Sequence, residues 1–161
     1  MKLSSLVPSE AIIDNLEATE KEKVLKEMVS ALASAGKIEK DAVTPVVKAL
    51  MSREELGSTG IGKGVAVPHA KHESVKGLVA AFGRSQKGIE FAALDGQPVQ
   101  LVFLLLSSKD VSGQHLEALA RVARLVRDDR FCRFLREAKS QKELADLLQE
   151  ADSQLDSPGA N

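Results

Sequence analysis

The sequence predicts a mixed α/β domain, with one central mixed β-sheet flanked by helices on both sides. Three observations carry that prediction. Apolar residues recur at helical spacing through the first fifty positions. Between Val65 and Leu106 the pattern changes to short apolar runs bounded by Gly, Pro and Asp-Gly. Helical spacing returns from Leu116 onward. Helices, then strands, then helices around a single sheet make a layered domain, and mixed strand directions suit that order better than an all-parallel sheet.

In chain order, Leu3, Leu6 and Val7 form a first apolar patch, followed by Ile12-Ile13. Thr19 and Glu22 have capping-box spacing. Behind them Val24, Leu25, Met28, Val29 and Leu32 outline a helix that Gly36 stops. Val43, Val46, Val47 and Leu50 outline a second helix, with Pro45 tolerated in its first turn and its end near Arg53. Val65-Ala66-Val67 reads as a strand stopped by Pro68. Leu78 to Phe82 reads as a strand, Ile89-Glu90-Phe91 alternates as a half-buried one, and Asp95-Gly96 marks a turn. Val99 to Leu106 is the most hydrophobic stretch and reads as a central strand buried on both faces. Ser112 is a candidate N-cap, with Leu116, Leu119, Ala120 and Ala123 as the stripe behind it. Phe131, Phe134, Leu135 and Ala138 form another stripe. Ser140 and Glu143 form a capping box that leads into Leu144, Leu147 and Leu148. One domain over 1–150 is expected, followed by a polar, disordered tail over 151–161.

Composition narrows the function. With 161 residues, 43% apolar and 28% charged, the chain can bury a core without metal or disulfides. A net charge of -1 argues against a general nucleic-acid binder. The single cysteine, Cys132, forms no internal disulfide and fits a reducing compartment. The first residues carry no apolar core of a secretory signal, and no stretch approaches a membrane span. A cytoplasmic protein without membrane insertion is the expectation.

The stretch from Arg53 to His72, REELGSTGIGKGVAVPHAKH, concentrates the candidate chemistry. Gly57, Gly62 and Lys63 match a nucleotide-binding loop, but Gly64 stands where Ser or Thr would hold magnesium. The loop also leaves a helix and opens a strand, the reverse of the required context. His69 and His72 are closely spaced, yet the remaining soft ligands are His115 and Cys132, and Cys132 falls inside a helix. A nucleotide site is not expected, and the metal reading is weak.

His69 and His115 make the stronger pair, since both follow segments read as strands. If those strands are neighbours, the two imidazoles meet at one rim. A neutral imidazole nitrogen can accept a phosphoryl group covalently. Such transfer depends mainly on positioning and on neutralising the equatorial oxygens. Arg53, first-turn amides near Ser112, and backbone amides of the glycine loop over Gly57, Ser58, Thr59 and Gly60 are candidates for that task.

At these residues the chain resembles the enzyme IIA domains of the bacterial phosphoenolpyruvate-dependent phosphotransferase system, of the fructose/mannitol class (type 2). The motif RE-x-LGSTGIG-x-G-x-A-x-PH (Arg53 to His69) carries the resemblance, with Ile89 to Leu106 and Gln114 to Ala138 as further matches. The GSTGIG and DGQPV segments look most like the nitrogen-regulatory branch. The resemblance implies a phosphotransferase with a phosphohistidine intermediate, in which His69 accepts from an HPr-like carrier. It gives His115 phosphoryl stabilisation and Arg53 the nearby positive charge, without a cofactor, on a mixed sheet with helices on both sides. Lys63 stands where sugar-transporting members can carry an acidic residue, and the expectation is a chain without an attached IIB or IIC segment. A regulator whose phosphorylation alters binding to target proteins is therefore favoured. The alternatives are a IIA component passing phosphate to a separate IIB protein for sugar uptake, or a non-phosphorylated binding module.

Overall fold

A computed structural model describes residues 1–157. The helices are α1 (Leu3–Leu6), α2 (Lys21–Ser34), α3 (Val43–Glu55), α4 (Ser112–Val126), α5 (Asp129–Glu137) and α6 (Gln141–Asp156). The strands are β1 (Ile12–Ile13), β2 (Gly60–Gly62), β3 (Val65–Ala66), β4 (His69–Lys71), β5 (Leu78–Ile89) and β6 (Val99–Ser107). The sheet runs β1-β5-β6-β3-β2, with β4 also paired to β6. Pairs β1–β5, β3–β6 and β4–β6 are parallel, while β5–β6 and β2–β3 are antiparallel, so the sheet is mixed.

Alternation along β6 builds both cores. Val102, Leu104 and Leu106 face the layer of α2 and α3, where Leu25, Met28, Leu32 and Leu50 are buried. Leu101, Phe103 and Leu105 face α4, α5 and α6. The central strand is thus buried on both faces, as its unbroken apolar run predicts. On the α4 side Phe103 packs edge-on against its cross-strand partner Phe82, with ring centroids 5.0 Å apart.

Several local signals act as read. Gly36 takes φ +75° after α2, and Lys37 N–H returns to Leu32 O at 3.0 Å. Ser140 Oγ accepts from Glu143 N, and the Glu143 carboxylate accepts from Lys139 N at 2.8 Å. Gly96 N–H closes the Asp95-Gly96 turn on Ala93 O.

Others do not. Thr19 does not cap α2; its carbonyl accepts from Glu90 N–H, and Glu20 precedes the helix without a side-chain cap. Ile89 ends β5 instead of starting a separate strand, after a register shift between Arg84 and Ile89. Ser112 is the first residue of α4 and not its cap; its hydroxyl donates to Lys109 O. The buried stripe of α4 is His115, Ala118, Val122, Leu125 and Val126, whereas Leu116 is 67% exposed and Ala120 is exposed. A histidine and an alanine lead that stripe, so the larger residues one position away outweigh it in a periodicity count. Phe134 likewise turns outward, while Phe131, Cys132 and Leu135 face the core.

The polar segment after 150, predicted as a disordered tail, is helical as far as Asp156, and residues 158–161 lie outside the described residues. Asp152 explains the difference. Its buried carboxylate accepts from Leu3 N at 2.9 Å and Ser4 N at 2.7 Å, satisfying amides at the start of α1. It also accepts from Arg121 Nε at 3.0 Å. Among the described residues, no helix is long and apolar enough to cross a membrane.

Candidate active site

The short strands β3 and β4 place His69. Both run parallel to β6, and Pro68 breaks the ladder between them because it has no N–H to give. The sequence reading ends the strand at Pro68, but pairing resumes: Leu105 N–H donates to Pro68 O, and His69 lies opposite Leu105. His69 therefore stands on β4, just past the break. Its Nδ1 lies 2.8 Å from Val67 O. A carbonyl only accepts, so Nδ1 carries the hydrogen and, in the neutral ring, Nε2 keeps a free lone pair.

His115 comes from the first turn of α4, on the strand-to-helix connection after β6. Its ring centroid lies 5.6 Å from that of His69, with planes 64° apart. His115 is buried, and its Nδ1 lies 2.6 Å from Ser107 Oγ. Burial, with His69 and Lys71 nearby, lowers its pKa from 6.5 to about 4. The ring is neutral at pH 7. The unfolded chain would take that proton near pH 6.5 and the folded chain only near pH 4. Unfolding thus binds a proton between these values, and stability falls as pH drops through that window, by on the order of 3 kcal/mol. Urea melts of wild type and His115→Gln across pH 7 to 4 should show the variant losing most of that slope. Equal slopes would contradict the shift.

Arg53, in the last turn of α3, donates to Gly57 O at 2.9 Å. Two depressions share Arg53 and His69. One, of about 340 Å³, is also lined by Ala49, Leu56, Lys71 and His115. The other, of about 220 Å³, is also lined by Ile61, Val67, Leu119 and Ala123. A larger cavity of about 480 Å³ between α4, α5 and α6 contains no histidine among its lining residues, so size does not mark the chemistry.

The glycine loop differs from its expected use. Gly57 N–H donates to Glu54 O, Thr59 N–H to Glu54 Oε1, and Gly60 N–H to Ser58 Oγ. The Ser58 hydroxyl donates to Phe91 O. The amides of Gly57, Thr59 and Gly60 are thus engaged inside the loop, whereas the expectation aimed them at a phosphate. The loop instead fixes shape. Glu54 is buried, paired to Lys21 Nζ at 2.8 Å and bonded to the Thr59 hydroxyl. A Cβ on Gly60 would stand 2.8 Å from that of Ala93, so only glycine fits without a shift.

His72 belongs to a turn, its Nδ1 accepting from Ser74 N–H at 3.1 Å. Cys132 is buried in the core, which raises its thiol pKa. Sequence reasoning missed Ser107, Lys71, Leu56 and Leu119. Leu119 reads as core by periodicity, and nothing in the sequence joins Ser107 to His115. The arrangement offers one free imidazole lone pair beside a second imidazole and an arginine, on a surface of leucine, isoleucine and valine.

The family model "Phosphoenolpyruvate-dependent sugar phosphotransferase system, EIIA 2" matches residues 5–151. The chain is 40% identical over 152 residues to the fructose-specific EIIABC component of Bacillus subtilis, covering 94% of this chain but only 24% of that protein. It is 37% identical to a nitrogen regulatory protein of Bradyrhizobium diazoefficiens, covering 92% of this chain and 95% of that one. Among solved structures, the nitrogen regulatory protein IIA-Ntr of Neisseria meningitidis superposes with a TM-score of 0.80 at 32% identity, over 90% of this chain and 97% of that one. By sequence and by fold, this chain belongs to the EIIA type 2 family of the phosphoenolpyruvate-dependent phosphotransferase system.

Proposed function

We propose that the protein is a phosphocarrier that takes a phosphoryl group onto His69 Nε2 from the phosphohistidine of an HPr-like protein, and that its main role is regulatory. The observation that carries the reading is the His69 Nδ1–Val67 O hydrogen bond beside the buried His115 ring. In the transfer, the Nε2 lone pair forms a bond to phosphorus as the donor's P–N bond breaks. The electron pair of that bond returns to the donor imidazole. The Val67 carbonyl, holding the Nδ1 proton, stabilises the cationic ring that forms. Arg53 offsets the charge of the equatorial oxygens, and the neutral His115 ring stabilises them as a polar neighbour.

The apolar rim suits docking of protein partners. Leu56 is 84% exposed and Ile61 48%, both in the depressions that include His69. A phosphate there adds about two negative charges to an apolar surface, enough to change which partner binds. Relatives named as nitrogen regulatory proteins, matched over nearly their whole length, support the regulatory role. The relation to a fructose-specific component and the fold shared with a IIA mannitol enzyme complexed to phosphorylated IIB keep a second reading open: onward transfer to a IIB protein. Incubation of labelled protein with purified IIB proteins separates the two. Label is expected to stay on this chain. Rapid drainage to a IIB protein would overturn the regulatory reading.

A further inference from the structure

Ser107 is the last residue of β6, fully buried, and falls on the same face of the strand as Leu101, Phe103 and Leu105. That face turns toward α4. Its hydroxyl lies 2.6 Å from His115 Nδ1, and among the described residues it has no other hydrogen-bond partner. The direction of this bond decides what His115 shows to His69.

Two arrangements satisfy the distance. If Nδ1 carried the hydrogen, Ser107 Oγ would accept it, and the buried hydroxyl proton would be left without an acceptor. If Ser107 donates, its proton is satisfied and Nδ1 accepts; the ring hydrogen then sits on Nε2. Buried polar hydrogens left unpaired are costly, so the second arrangement prevails.

We propose that Ser107 is a positioning residue that holds His115 as its Nε2–H tautomer, so that the ring offers a hydrogen-bond donor to a phosphoryl oxygen on His69. The proposal rests on the phosphocarrier reading of His69. A lone pair in the same place would repel the anionic oxygens. The choice matters because His115 stays neutral, with its pKa lowered to about 4. A cationic ring would donate from both nitrogens whatever Ser107 did, whereas a neutral ring has one hydrogen to place.

The test uses full-length protein carrying ¹⁵N-labelled histidine. Long-range ¹H–¹⁵N spectra report which nitrogen of His115 is protonated. In wild type, Nε2 should be protonated and Nδ1 an acceptor. Ser107→Ala should mix or reverse the tautomers and slow phosphorylation of His69 about tenfold, while Ser107→Thr, which keeps the hydroxyl, should restore both. In a His115→Ala background, Ser107→Ala should cause no further slowing, which a purely structural role would not reproduce. A wild-type His115 protonated on Nδ1 would overturn the proposal even if Ser107→Ala failed to fold. So would a Ser107→Ala protein with the wild-type tautomer, or added slowing in the double variant. Absence of label on wild type would overturn the phosphocarrier reading; the tautomer measured in the same sample would still decide what Ser107 does.

Discussion

The His69→Ala variant is expected to take no phosphoryl group from any donor while keeping the wild-type fold. In the proposed transfer the nucleophile is the one Nε2 lone pair that the Val67 carbonyl leaves free, and neighbouring side chains cannot replace it. His115 is turned inward on Ser107, and the Nδ1 of His72 is engaged with Ser74. The loss should therefore be complete, not a matter of degree. The fold should survive because His69 is only partly buried and its ring makes one hydrogen bond, to a carbonyl on the rim. Such a change costs about 1 kcal/mol or less. Radiolabel transfer beside circular dichroism checks both halves. A folded His69→Ala protein that accepts label would contradict the assignment.

Asp152→Ala is expected to destabilise the protein more than any change on the rim around His69. The carboxylate is fully buried and accepts from Leu3 N, Ser4 N and Arg121 Nε, joining α6 to the start of α1 and to α4. Removing it leaves one buried and one part-buried amide unpaired and takes one acid from Arg121, which keeps Asp156. A loss of about 3 kcal/mol follows, lowering Tm by roughly 10 °C. Desolvation alone would raise the pKa of Asp152, but hydrogen bonds from Ser4, Leu3 and Arg121 outweigh it and hold the pKa below the usual carboxylate value of 3.8. The unfolded chain therefore binds the proton first on acidification. The stabilisation is fully present above about pH 4 and is lost as pH falls through the depressed value. Asp156→Ala, at the solvent-exposed end of the same arginine, should change Tm little. Thermal melts of the two variants at pH 7 make the comparison; equal Tm values would contradict the role given to Asp152.

Asp152 also shows where sequence reading stops. By composition the last eleven residues are a polar tail, because an aspartate facing water and one capping a helix 149 positions away look alike. Long-range polar contacts leave no local period. The same holds for Glu54, whose partner Lys21 lies 33 residues earlier and whose carboxylate engages the Thr59 amide, one of those expected to face a phosphate. What was legible had a local cause. β6 is apolar at nearly every position because helices cover both its faces, and the Arg53-to-His69 motif is contiguous because loop and strand break together set one imidazole. The pairing of His69 with His115 was legible once both were placed after neighbouring strands. The α4 stripe was not, since the inward residues that lead it, His115 and Ala118, are more polar or smaller than the outward Leu116.

The central claim is that His69 carries phosphate on Nε2. The most direct measurement incubates the full chain with phosphoenolpyruvate, enzyme I and an HPr-type carrier, then maps the label by peptide and locates the bonded nitrogen by NMR. An acid-labile, base-stable phosphate on Nε2 of His69 is the expected result. Label on His72 or His115, on Nδ1 of His69, or nowhere with several active donors would contradict it.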